Sequence, residues 1–135
     1  MHKPNKGPSQ RQLRVGEQMR HRLAEILQRG ELHDMALEQV NLIISEVRVS
    51  PDLRHATVFA AELGQPLQPA TQSVLRRHAT QMGIRLAKEM HLKYAPKVKF
   101  LPDESFQEAS HIDDLINQER SALANQRNSQ GSVDE

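Results

Sequence analysis

Residues 42 to 63 constrain the fold most, because their period excludes a helix. "LIISEVRVS" sets Ile43, Ser45, Val47 and Val49 against Ile44, Glu46 and Arg48, the two-residue alternation of a half-buried strand. "RHATVFAAEL" is β-branched and aromatic enough for a second strand, with Thr57, Phe59, Ala61 and Leu63 on one side. Between them stands "SPDL", a turn in which Pro51 presets φ and Asp52 can bond its own backbone. So short a gap makes the pair an antiparallel hairpin.

The flanking segments change period. "QRQLRVGEQMRHRLAEILQRG" places Val15, Met19, Leu23, Ile26 and Leu27 on one helical face, with Gly30 as the stop. Gly16 costs that helix up to about 1 kcal/mol relative to Ala, so its start is expected to fray. Residues 31–39 read as a connector with weak helical turns. "GQPLQPA" is a loop. A helix follows from residue 70, is broken near 80, and resumes to about 92, where Tyr94-Ala95-Pro96 ends it. "KVKFL" is a third strand. Phe106, Ala109, Ile112, Leu115 and Ile116 then fall at helical spacing, with Asp103 or Ser105 as cap. The resulting order is α-β-β-α-α-β plus a terminal helix. The expected fold is a two-layer α+β domain with helices on one face of a three-stranded sheet. Residues 1–9 read as a flexible basic arm, 10–118 as the domain, and 119–135 as a disordered polar tail.

Composition narrows the function. The chain has 135 residues, no cysteine and 3% aromatic residues. Its core is therefore aliphatic, and disulfides, cysteine-ligated zinc and cysteine nucleophiles are excluded. No apolar run approaches the roughly 20 residues of a membrane span, and the polar start "MHKPNKGPSQRQ" lacks a secretory signal. A soluble cytoplasmic protein is the expectation.

Catalysis finds little support. The seven histidines, His2, His21, His33, His55, His78, His91 and His111, form no H-x-x-x-H or H-E-x-x-H pair, so no metal site is expected, and a metal-dependent hydrolase is the weakest reading. Asp103-Glu104 and Asp113-Asp114 suit helix capping and a solvated face better than acid–base work. Phosphate-binding and dinucleotide glycine motifs are absent. We expect no catalytic residue and no cofactor.

Charge points elsewhere. The net charge of +1 conceals blocks of +5 over residues 1–30, −4 over 31–69, +6 over 70–100 and −6 over 101–135. Two basic blocks in so small a protein suggest a polyanionic partner. The candidates are Arg11, Arg14, Arg20 and Arg22 on the first helix, and Arg76, Arg77, His78, Ala79, Thr80, Gly83, Arg85, Lys88 and Lys93 around the break. A helix break exposes the N–H groups of the next first turn, which bind phosphate, and neighbouring cations strengthen that field. With only Phe59, Phe100, Phe106 and Tyr94 for stacking, RNA binding is expected to use backbone and shape more than stacked bases.

"RVGEQMRHRLAEILQRG", "ISEVRVSPDLRHATVFAAEL", "AKEMHLKYAPKVKFLPDES" and "SFQEASHIDDLI" occur in an order and at spacings that resemble the ribosome-binding factor A family, over roughly residues 11–118. The resemblance implies a type-II KH-like fold, with a helix break replacing the GxxG loop. It also implies a non-enzymatic, monomeric RNA-binding protein that associates with the free or immature 30S subunit. The family's role would be to assist 16S rRNA maturation, including its 5′ end, and to support growth in the cold. A generic KH-like RNA-binding regulator is the alternative. The family's Ala-x-Gly break motif falls on His78-Ala79-Thr80, where the glycine is missing, and Gly83 lies three residues on. The break is placed either at Thr80 or at Gly83.

Overall fold

The structure, a computed structural model, describes residues 7–103. Most of the arm over 1–9, the closing helix with Phe106 to Ile116, and the tail from 119 lie outside the described residues.

Helix α1 spans Gln10–Gln28. Its start does not depend on propensity alone. Ser9 accepts from the Gln12 amide at 3.2 Å while the Gln12 side chain accepts from the Ser9 amide at 2.9 Å, a reciprocal cap. It ends as the sequence suggests. Gly30 takes φ +63°, its N–H donates to Leu27, and the Glu31 N–H donates to Ile26, which is the Schellman arrangement. One turn of helix, α2 (Met35–Glu38), follows, capped by the Asp34 carboxylate on the Ala36 amide.

Strands β1 (Leu42–Val49) and β2 (His55–Glu62) form the antiparallel hairpin. The Ser50–Leu53 turn closes with the Leu53 N–H donating to the Ser50 carbonyl at 2.9 Å. The alternation read along β1 needs correction. A bulge between Ile44 and Glu46 shifts the register, so Ile44, Val47 and Val49 face the core while Ile43, Ser45, Glu46 and Arg48 are exposed. In β2 the core side is Ala56, Val58 and Ala60, and Thr57, Phe59 and Ala61 face the other way. A two-residue strand β3 (Gln65–Pro66) pairs with the end of β2. Strand β4 (Lys97–Pro102) lies parallel to β2 on the side opposite β1.

Between β3 and β4 runs α3, continuous over Pro69–Glu89. The break expected near residue 80 is absent, so the two expected helices are one. Thr80 and Gln81 are only mildly unfavourable in a helix. They stand on a segment whose Leu75, Met82 and Leu86 are fully buried against the sheet, and that packing overrides local preference. Met19 and Leu23 of α1 enter the same cluster with Val58 and Ala60. Both long helices therefore cover one face of the sheet, as the two-layer reading requires.

The helices also cover the sheet's two edges. Val47 and Val49 turn their carbonyls away from β2. Gln12 donates its side-chain amide to the Val49 carbonyl at 2.9 Å, and a Cβ on Gly16 would collide with the Val47 carbonyl oxygen. On the other edge, Gln72 donates to the Phe100 carbonyl at 2.7 Å, and a Cβ on Gly83 would collide with the Pro96 carbonyl oxygen. Gly16 and Gly83 are thus close-approach residues, neither a frayed start nor a kink. Each helix covers two outward carbonyls at one side of the sheet with a glutamine and a glycine, Val49 and Val47 on one side and Phe100 and Pro96 on the other.

Candidate nucleic-acid interface

The inward stripes of the two helices decide which basic side chains face water. On α1, burial of Met19, Leu23 and Ile26 turns Arg11, Arg14 and Arg22 outward, and all three are exposed. On α3, burial of Leu75, Met82 and Leu86 leaves Arg77, Thr80, Ile84 and Lys88 as an exposed stripe, with Arg76 beside it. Arg11, Arg14, Arg22, Arg76, Arg77 and Lys88 make no ion pair with any described residue. Unpaired guanidinium and ammonium groups on one layer form a surface suited to phosphate.

The other candidates are placed differently. Arg20 is held by Glu17, with contacts of 2.5 and 3.0 Å. That hydrogen bond pulls the Glu17 carboxyl below its usual range and raises the Arg20 guanidinium. Arg85 is held by two acids. It donates to Glu31 at 2.7 Å and to Glu89 at 3.2 Å, and its side chain is 34% exposed. His78 meets the Asp34 carboxylate at 2.8 Å, with both side chains about one-fifth exposed. Since an ionised carboxylate only accepts, the histidine Nε2 donates. These two pairs fasten the connector around α2 onto α3. The hydrogen bond from Arg85 lowers Glu31, and the one from His78 lowers Asp34. Ala79 is half-buried and Gly83 is buried beneath the Pro96 carbonyl, so neither backbone forms an open phosphate corner.

The N–H groups of a second helix are not available either, because α3 is one continuous helix, and the acid beside its single N-terminus makes that end a poor place for phosphate. The buried Glu62 carboxylate accepts from the Gln68 amide at 2.6 Å there.

A group of which only Lys93 is among the sequence candidates gathers where β2 and β4 begin. Arg54 stacks over the Tyr94 ring, its Cζ 3.9 Å from the centroid, and the Lys93 ammonium lies 5.4 Å from the same centroid. His55 and Lys97 are cross-strand neighbours, as are Thr57 and Lys99. The K-x-K spacing of "KVKF" places Lys97 and Lys99 on the same strand face, a signal the sequence did carry. Arg54 and Tyr94 are forty residues apart, and only the parallel β2–β4 pairing joins them. The first turns of α1 lie at this end too, through the Gln12–Val49 contact. So does the last turn of α3, beyond Gly83 and Pro96.

Among the described residues no three His, Asp or Glu side chains converge on a possible metal position. No described helix is long and apolar enough to cross a membrane.

A profile of the family described as ribosome-binding factor A matches residues 11–116. A ribosome-binding factor A from Zymomonas mobilis is 49% identical over 110 residues, spanning 82% of this chain and 78% of that one. The crystal structure of ribosome-binding factor A from Thermus thermophilus superimposes with a TM-score of 0.57 at 24% identity, covering 67% of this chain and 94% of that one. A homology model of the Thermus thermophilus factor, as fitted into a cryo-EM map of its 30S complex, gives a TM-score of 0.52 at 23% identity, covering 66% of this chain and 91% of that one.

Proposed function

Since the chain belongs to the ribosome-binding factor A family, we propose that it binds the free or immature small ribosomal subunit through 16S rRNA. It acts there as a non-enzymatic assembly factor. The observation that carries this reading is a set of six cations on the outer surface of α1 and α3 that make no ion pair with any described residue. Phosphate contacts of this kind position a protein on folded RNA without reading its sequence. A Thermus thermophilus relative fitted into a map of a 30S complex supports the choice of partner.

The finer role follows the family resemblance. The protein assists late 16S rRNA maturation, including processing of the 5′ end, and matters most for growth in the cold. It works in the cytoplasm as a monomer. The binding unit is residues 10–118, with a basic arm before it and a polar tail after it. Within that unit the phosphate contacts are Arg11, Arg14, Arg22, Arg76, Arg77, Thr80, Lys88 and Lys93. Arg20, His78 and Arg85 support the surface by fixing its neighbours.

Sedimentation of a cell extract through a sucrose gradient tests this reading. The protein should travel with free 30S subunits and be depleted from translating ribosomes. Deletion of the gene should leave 16S precursor with an unprocessed 5′ end. A protein that stays at the top of the gradient, with normal 16S ends in the deletion strain, contradicts it.

A further inference from the structure

We propose that the Arg54–Tyr94 stack is a second RNA contact, one that takes an unpaired nucleotide. The base stacks on the tyrosine and guanidinium planes, and the flanking phosphates meet Lys93 and Lys97. This deepens the reading above and rests on its RNA partner.

Three observations carry it. First, the aromatic ring is exposed where exposure has no packing purpose. Tyr94 is 44% exposed, and the Arg54 Cζ lies 3.9 Å from its ring centroid, so a cation and an aromatic ring that can each stack on a base stand side by side at the surface.

Second, the platform is held firmly from both sides. Leu53 is buried at a φ of +61°. Asp52 accepts from the Ser50 hydroxyl at 2.6 Å and from the Arg54 amide at 3.1 Å. The His55 amide donates to the Ser50 hydroxyl at 3.0 Å. The Lys97 amide donates to the Arg54 carbonyl at 2.8 Å, joining the two segments that carry the stack. Pro96 is buried beside Gly83. An ordered platform loses little entropy when a base settles on it.

Third, the surrounding charge fits a polyanion. Arg54, His55, Lys93, Lys97 and Lys99 are all exposed. Asp52 is the acid of the turn, and its carboxylate is occupied by Ser50 and the Arg54 amide. The first turns of α1, which carry Arg11 and Arg14, and the last turn of α3, which carries Lys88, lie at the same end of the sheet. A strand leaving the helical face would meet this platform next. Sequence-tolerant stacking on an aromatic group beside a basic groove is how single strands are held.

The chain offers its own reporter. Tyr94 is the one tyrosine in a sequence without tryptophan, so intrinsic emission reads this site alone. Full-length protein is titrated with single-stranded oligoadenylate and, separately, with an RNA duplex of equal phosphate content. The single strand should quench tyrosine emission saturably, and the duplex should leave it nearly unchanged. Tyr94→Leu should weaken oligoadenylate binding, followed by anisotropy of labelled RNA, by about 5- to 100-fold, while Tyr94→Phe stays within about twofold. Unchanged emission while the oligonucleotide binds, equal quenching by the duplex, or no binding at all overturns the proposal. If Tyr94→Leu fails to fold, the quenching of the parent protein decides. Gradient sedimentation of the parent protein with 30S subunits separates the two readings. Comigration without oligonucleotide quenching rejects the platform alone, and loss of comigration rejects the ribosomal assignment.

Discussion

Gly83 packs beneath the carbonyl oxygen of Pro96 so closely that a Cβ added to it would collide with that oxygen, and no other residue fits there without movement. The contact seats α3 on the start of β4. It explains a glycine in the middle of a 21-residue helix, where one would otherwise cost stability.

Gly83→Ala should therefore destabilise the fold. In an open helix the change would stabilise by about 0.5–1 kcal/mol. Here the added methyl group must displace backbone, which costs about 1–3 kcal/mol. Gly16→Ala should behave alike, because Val47 stands over it. Thermal or urea unfolding gives the sign, and a stabilised Gly83→Ala variant would refute the packing.

Arg77 and Arg85 look equivalent in the sequence and should behave differently. Arg85→Ala removes contacts to Glu31 and Glu89 and should lower the melting temperature by about 2–5 °C. Arg77 is exposed and unpaired among the described residues. Its replacement by Ala should move stability by no more than about 0.5 kcal/mol. Calorimetry of the two variants checks the contrast.

Acidification should loosen the connector. Hydrogen bonds from His78 and Arg85 hold the Asp34 and Glu31 carboxyls below their usual range. At low pH the unfolded chain binds protons that the folded one refuses, so stability falls as pH drops below about 4. It is retained above that point. Asp34→Asn should flatten the pH dependence of the melting temperature between about pH 4 and 2. A slope identical to that of the parent protein would show that the pair contributes nothing.

Association with RNA should weaken steeply with salt. If Arg11, Arg14, Arg22, Arg76, Arg77 and Lys88 all meet phosphate, log K falls against log salt with a slope of roughly −4 to −5.5. A titration of 30S binding across potassium chloride concentrations measures it. A slope near zero would leave these side chains without a role in binding.

Much of the fold could be read because periodicity survives in sequence. The α1 stripe, the hairpin, its Ser50–Leu53 turn and the Gly30 stop each follow from local residue order. The β1 bulge did not, since one inserted residue changes which side chains face inward without changing composition. Ser45 and Glu46, adjacent and both polar, are its trace. Thr80, Gln81 and Gly83 suggested a break because local propensity is weak there, and the buried Leu75, Met82 and Leu86 overrule it. The candidate site was legible only in charge. Which arginine meets an acid is decided across the fold, as Arg85 and Glu31 show at a separation of 54 residues. The Arg54–Tyr94 stack is equally non-local.

The most direct test of the account is co-sedimentation of Arg76→Ala/Arg77→Ala with purified 30S subunits, beside the parent protein. Both side chains are exposed and make no ion pair with described residues, so the variant should melt as the parent does. Its 30S affinity should fall, and its salt slope should flatten by roughly 1.5–2. Parental affinity and an unchanged slope in the folded variant would contradict the claim that the outer face of the helical layer meets the ribosomal RNA.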